Sequence, residues 1–289
     1  MTVEGRAASR SRWVEALCGL LVFADELKTR TDTVLARGGL DLLHRVTYFI
    51  CFRGRRTLQA CQVLVPREWD DIVGNLTRSL IEAAIDLDYL HVSTTRRSRR
   101  DGPETTLTPV DKARLYEGQV VLFEKKRSGR LRPDHVDWYN AVVALRAEHG
   151  LENVFWHGRR ISGEGDSILQ ELLGAAAGDE ARTGRLNAMA EWFAIASYFE
   201  HDNPNMNFYI SPEGEGHRIL ETMAHPAIIE TVVRAGGEIC WSWGAVLGLT
   251  SEALNAGLRP VLVAHQVEAA LGQANRDENG STGTADEAP

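Results

Sequence analysis

Arg78 and Glu82 stand four residues apart in EWDDIVGNLTRSLIEAAIDLDYLHV (68–92). Further on, YFEHDNPNMNFY (198–209) sets His201 and Asp202 beside Asn203, Asn205 and Asn207. These types suit proton transfer and the binding of a charged group. An imidazole titrates near neutral pH. A guanidinium offers a fork of N–H donors to carboxylate or phosphate oxygens. Each group also has a plainer explanation. An Arg-first i,i+4 pair stabilises a helix by about 0.2–0.5 kcal/mol. A histidine at a helix C-terminus is favoured by the macrodipole, and Asp and Asn are good turn formers.

The helix that carries the first pair is predicted to be buried on two sides. At 100° per residue, Leu76, Leu80, Ala83 and Leu87 share one face. Arg78, Glu82, Ile85 and Tyr89 centre on the opposite face, flanked by Ile81 and Asp86. Arg78 and Glu82 are therefore expected to form a partly buried pair, with Tyr89 on the same face. On the helix that leads to His201, Ala190, Ala194 and Ser197 share its face, while Trp192, Ile195, Ala196 and Phe199 lie away from it. Small residues in a row let another backbone come close, so a tight seam ending at His201 is expected.

Helical periodicity dominates the rest of the chain. Helices are predicted over 11–37, closed by Gly38-Gly39, and over 40–52 and 56–65. Others follow over 110–127, 133–150, 166–178 (with an Asp166 cap), 180–201, 217–237, 238–249 and 260–274. STTRRSRRDGPETTLTP (93–109) and ENVFWHGRRISGEG (152–165) read as exposed loops. The fold class is all-α, a multi-helix bundle. One domain is expected over 1–274, with a disordered polar tail over 275–289.

The 289 residues carry a net charge of -8, which argues against a global basic field for nucleic-acid binding. Arginine supplies 28 of the 32 positive charges. Cys18, Cys51, Cys61 and Cys240 lie apart in apolar runs and are expected as reduced core residues of a cytoplasmic protein. No apolar run reaches the ~18 residues of a membrane span, so no membrane partner is expected. No P-loop, GxGxxG or GxSxG occurs. The Glu-x-x-His pair of di-iron bundles is also missing, so no metal or other cofactor is expected. Glu82, Asp86, His201 and Asp202 are nonetheless of ligating type. RRSRR (96–100) has no interleaved aromatics and reads as a solvated loop, and CWSW (240–243) as core or as an aromatic anchor.

Four segments in order carry a resemblance: RTLQACQVLVPREWDDIVGNLTRSLIEAAIDLDYL, ARLYEGQ, FWHGRRISGEGDSILQELLG and SYFEHDNPNMNFY. Together they resemble domain-of-unknown-function family 5677, bacterial helical proteins with an Arg-x-x-x-Glu helix, a Trp-x-Gly loop and a late Ser-x-x-x-His. The matching positions are Arg78 and Glu82, Trp156 and Gly158, Ser197 and His201, within about residues 55–210. The layout is similar to that of HEPN domains, helical bundles that often dimerise and act as metal-independent ribonucleases in toxin–antitoxin and phage-defence systems. The resemblance implies RNA or a nucleotide as ligand and a homodimer as the assembly. It implies His201, Arg78, Glu82 and Ser197 as catalytic residues, with Trp156, Tyr89, Asp202, Asn203 and Asn205 in binding. The histidine would move protons and the arginine would hold phosphate charge.

The HEPN signature places an arginine five to seven residues before its histidine. Here Ala194, Ile195 and Ala196 occupy those positions. Arg78 supplies the arginine only if its helix touches the helix of Ser197. The spacing occurs elsewhere as Arg37–His44, Arg130–His135, Arg218–His225 and Arg259–His265, about as often as chance allows, with Arg218–His225 wholly inside a predicted helix. The alternative is a non-catalytic module that binds a protein partner or small ligand, with the same residues as a buried polar network.

Overall fold

The computed structural model describes residues 3–67, 70–97, 104–151, 156–157, 160–162, 167–200 and 216–281. Among them are ten α-helices and one two-stranded sheet, which bears out the all-α bundle. The helices are α1 (Val3–Arg37), α2 (Leu42–Leu64), α3 (Asp70–Leu90), α4 (Pro109–Ser128) and α5 (Val136–Glu148). They continue with α6 (Ile168–Ala175), α7 (Glu180–Glu200), α8 (Gly216–Val246), α9 (Ser251–Gly257) and α10 (Arg259–Ser281).

Helix α3 runs through the middle, packed against α2, α7 and α8, while α1 packs along α8 and α10. Both of its predicted faces are buried: Leu80, Ala83 and Leu87 on one side, Ile81, Ile85 and Tyr89 on the other. Each fully buried Leu or Ile contributes about 1.5–3 kcal/mol of apolar transfer. Trp13, Leu17, Leu20 and Leu27 of α1 and Val232, Val233 and Trp243 of α8 extend the same core. The Trp243 indole donates to Thr31 Oγ1 at 2.8 Å and meets Phe52 edge-on.

Two pairs of predicted helices are single helices. Gly54 falls in the gap between the first two and Gly236 at the end of one of the second two, yet both are close-approach points. A Cβ on Gly54 would stand 2.8 Å from Ile239, and one on Gly236 would stand 2.6 Å from Leu58. These glycines let α2, α8 and α1 close together, so α2 runs unbroken through 54 and α8 through 236. Gly38 and Gly39 do end α1, with φ of 73° and 79°. Helix α10 runs on to Ser281, into the polar segment read as a tail.

Other expectations need correction. Residues 93–109 are not simply a loop. Strands β1 (Thr94–Arg97) and β2 (Glu104–Leu107) pair antiparallel, from Thr94 opposite Leu107 to Arg97 opposite Glu104. Four threonines supply the β-branched side chains, and Thr94 and Leu107 are buried beneath. The cap of α6 is Ser167, whose hydroxyl accepts from the Gln170 N–H, rather than Asp166. Cys18 is exposed, whereas Cys51, Cys61 and Cys240 are buried free thiols. Burial pushes the Cys61 and Cys240 thiols up to about 12. Helix α7 turns Leu186, Met189, Phe193 and Ala196 inward, and Ala194 is exposed. The seam is therefore built mainly on large side chains, with Ala190 packed at its edge and Ala194 outside it. No described helix is long and apolar enough to cross a membrane.

Candidate functional site

Helix α3 presents Arg78, Glu82 and Asp86 at intervals of four, one above another on one face. The first two form the expected pair, with Arg78 Nε 3.1 Å from Glu82 Oε1 and both side chains partly buried. Arg78 also lies over the Phe193 ring of α7, 5.1 Å from its centroid. Helices α3 and α7 thus touch, the condition set for Arg78 to act beside α7. Asp86 sits one turn deeper, and Arg53 of α2 reaches it at 3.4 Å.

The end of α3 is held by a neighbour. Helix α4 starts with a capping box between Thr108 and Asp111 and with Pro109 at its first position. This directs the buried Lys112 ammonium to the carbonyls of Tyr89 at 2.9 Å and Val92 at 2.7 Å. The same ammonium lies 3.5 Å from the Tyr89 ring centroid. A cation on the last α3 carbonyls complements the helix dipole.

Trp156 closes the cleft from the segment before α6. Its ring meets Tyr89 at 5.4 Å and Tyr116 at 5.2 Å, and its side chain hydrogen-bonds Asp86. Residues 160 and 161 are pinned to α6 by Ile168 N–H to Arg160 O at 2.9 Å and Leu169 N–H to Ile161 O at 3.1 Å. These bonds bring His157, Arg160 and Ser162 to the rim.

The result is a cavity of about 370 Å³ with Arg53, Arg78 and Arg160 around its mouth and Trp156, Tyr116 and Phe193 as its walls. That size lies within the range of small-ligand sites. Burial pushes the Asp86 carboxyl up to about 7, Arg53 works against that rise, and Glu82 adds to it. Burial also pushes the Tyr116 hydroxyl up to about 12, so it stays a hydrogen-bond donor at neutral pH. An acid that titrates near 7 beside three arginines can accept and return a proton next to a bound anion.

The cleft unites Arg78, Glu82 and Trp156 of the expected residues. Tyr89 does not line it and instead backs Trp156. Ser197 lies on α7 one turn beyond Phe193. Gly158, His201, Asp202, Asn203 and Asn205 lie outside the described residues, as do the side chains of Arg218 and His225. Among the described residues, no three His, Cys, Asp or Glu side chains group as a metal site.

Sequence reasoning missed Arg53, Tyr116, His157 and Arg160. Asp86 was visible only as a flanking acid of metal-ligating type, although its spacing of four from Glu82 was a usable signal. Arg159-Arg160 beside Trp156 was another.

Fold and cleft define a helical bundle with a cationic, aromatic-walled pocket built over a buried acid. No family model matches the chain, and no curated protein or solved structure matches it.

Proposed function

We propose that the cleft binds RNA or a nucleotide, and that the protein is a HEPN-like, metal-independent endoribonuclease of bacterial defence or stress. The observation that carries this reading is the cavity in which the buried Asp86, its carboxyl pushed up to about 7 by burial, shares the lining with three arginines. The likeness to family 5677, and a homodimer, form part of the same proposal.

Arg53, Arg78 and Arg160 hold the phosphate oxygens. The Trp156 and Tyr116 wall supports a base, since any base offers a ring face for stacking. Asp86 as carboxylate takes the proton of the ribose 2′-hydroxyl. The 2′ oxygen attacks the neighbouring phosphorus, and the bond from phosphorus to the 5′ oxygen breaks. That oxygen takes a proton from the imidazolium of His157. The products are a 2′,3′-cyclic phosphate end and a 5′-hydroxyl end, and no co-reactant is consumed. His201 and Ser197 enter through the resemblance alone.

The test is RNA cleavage in EDTA by the wild type, by Asp86→Asn and by the Arg78→Ala, His201→Ala double variant. EDTA-resistant cleavage that leaves cyclic phosphate ends and is lost in both variants is expected. One observation favours a second reading, a non-catalytic binding module: Asp86 and Glu82 are each engaged by an arginine at 3.4 and 3.1 Å. RNA or protein binding without cleavage, unchanged in Asp86→Asn, would select it.

A further inference from the structure

A second hollow lies across α7 from the first. It holds about 310 Å³ between α7, α8 and the corner where α9 meets α10, within the size range of small-ligand sites. Trp192 and Trp241 supply flat aromatic faces, and Leu258 and Leu262 complete the apolar walls. Arg185 and Arg234 reach the same space, and neither belongs to the first cleft.

The charges there are unevenly matched. Arg182 and Arg185 share one oxygen of Asp88, at 3.3 and 3.2 Å. Glu238 stands 3.5 Å from Arg185. It lines the hollow too, and burial pushes its carboxyl up to about 7, which weakens its hold on Arg185. Arg234 is flanked by the rings of Trp13 at 5.8 Å and Trp192 at 6.0 Å. It pairs with Glu230 at 2.6 Å and donates to His265 Nδ1 at 2.8 Å. That last bond requires a neutral imidazole, and burial together with the Arg234 charge holds the His265 pKa down. The Nε of Arg185 and of Arg234 is buried with no hydrogen-bond partner among the described residues. Two guanidinium groups, each with a buried Nε still unpaired among the described residues, stand beside two indoles and a neutral histidine in a flat-walled hollow.

We propose that this hollow is a second binding site, and that it takes a flat aromatic carboxylate. The carboxylate lies between Arg185 and Arg234, and the ring lies between Trp192 and Trp241 against Leu258 and Leu262.

The experiment titrates the full chain with a naphthalene carboxylate and, separately, with the uncharged naphthalene methanol, by calorimetry. Leu262→Trp serves as a plug: Leu262 is 42% exposed, so the larger ring fills the hollow without crowding the core. Arg234→Gln is the second variant, with folding checked by circular dichroism. Binding of one carboxylate per chain is expected, about tenfold tighter than the alcohol and weakened about tenfold or more by either variant. Equal affinity for acid and alcohol would overturn the proposal. So would absence of saturable binding, or binding lost on Arg78→Ala and kept in Leu262→Trp, which would seat the probe in the first cleft.

Discussion

Asp86 and Asp88 stand two residues apart on α3 and so face opposite sides of the helix. Asp86 meets one arginine at 3.4 Å, and that arginine is itself substantially exposed. Asp88 meets two arginines of α7 at 3.3 and 3.2 Å. Asp86 opens on a cavity, whereas Asp88 ties α3 to α7. Near-identical groups on one helix are thus put to different uses by how deeply each is buried and by how many arginines meet its charge. A matched carboxylate is structural glue. An under-matched one holds its proton near pH 7 and is available for chemistry.

The largest effect expected from this contrast is at Asp86. Its folded pKa is raised from 3.8 to about 7, so between these values the folded state binds the proton more strongly than the unfolded one. The contribution of Asp86 to stability is therefore fully present below about pH 4 and is lost as pH rises through about 7. The gap corresponds to roughly 4 kcal/mol. Asp86→Asn removes the titration. Its stability relative to wild type should improve by about that amount from pH 4 to pH 8, by urea unfolding at both pH values. A constant difference would show that Asp86 is solvated and the comparison mistaken.

Asp88→Ala should do the reverse. It strips a shared partner from Arg182 and Arg185, both mostly buried, and should cost about 3 kcal/mol at pH 7. Urea unfolding checks it, and a cost below about 1 kcal/mol would reduce the pair to an ordinary surface contact.

The contrast was only half legible in the sequence. Periodicity placed Arg78, Glu82 and Asp86 near one another and showed that α3 is buried on two sides. It also gave the helix ends where a local signal marks them, as at Gly38-Gly39. It split α2 around Gly54 and α8 after Gly237, because a glycine that admits a neighbouring Leu or Ile looks the same in one dimension as a glycine that stops a helix. It missed Arg53 and Arg160, because their relation to Asp86 depends on which helices touch. The α7 face went wrong for a related reason. A stripe of alanines marks a face that could pack closely, but Met189 and Phe193 bury more area and decide the orientation. The hairpin was hidden by its arginines, while its threonines carried the signal.

A smaller effect tests the match at Asp86 directly. The Arg53 charge opposes the rise in the Asp86 pKa, so Arg53→Met should raise it further. Carboxyl chemical shifts followed against pH would report the midpoint. No movement would mean that Trp156, which also hydrogen-bonds Asp86, carries the compensation alone.

The smallest effect is expected at the pair that first drew notice. Arg78 and Glu82 are only partly buried and follow the less favourable Arg-first order, so a double-mutant cycle should give a coupling of about 0.5 kcal/mol or less. Arg78 is also held over Phe193 of α7, so Arg78→Ala should cost more than the cycle assigns to Glu82. If the coupling instead reached about 2 kcal/mol, the pair would belong with Asp88 as helix glue. Arg78 would then be too firmly engaged to turn toward a phosphate, and Arg53 and Arg160 would be left to bind it.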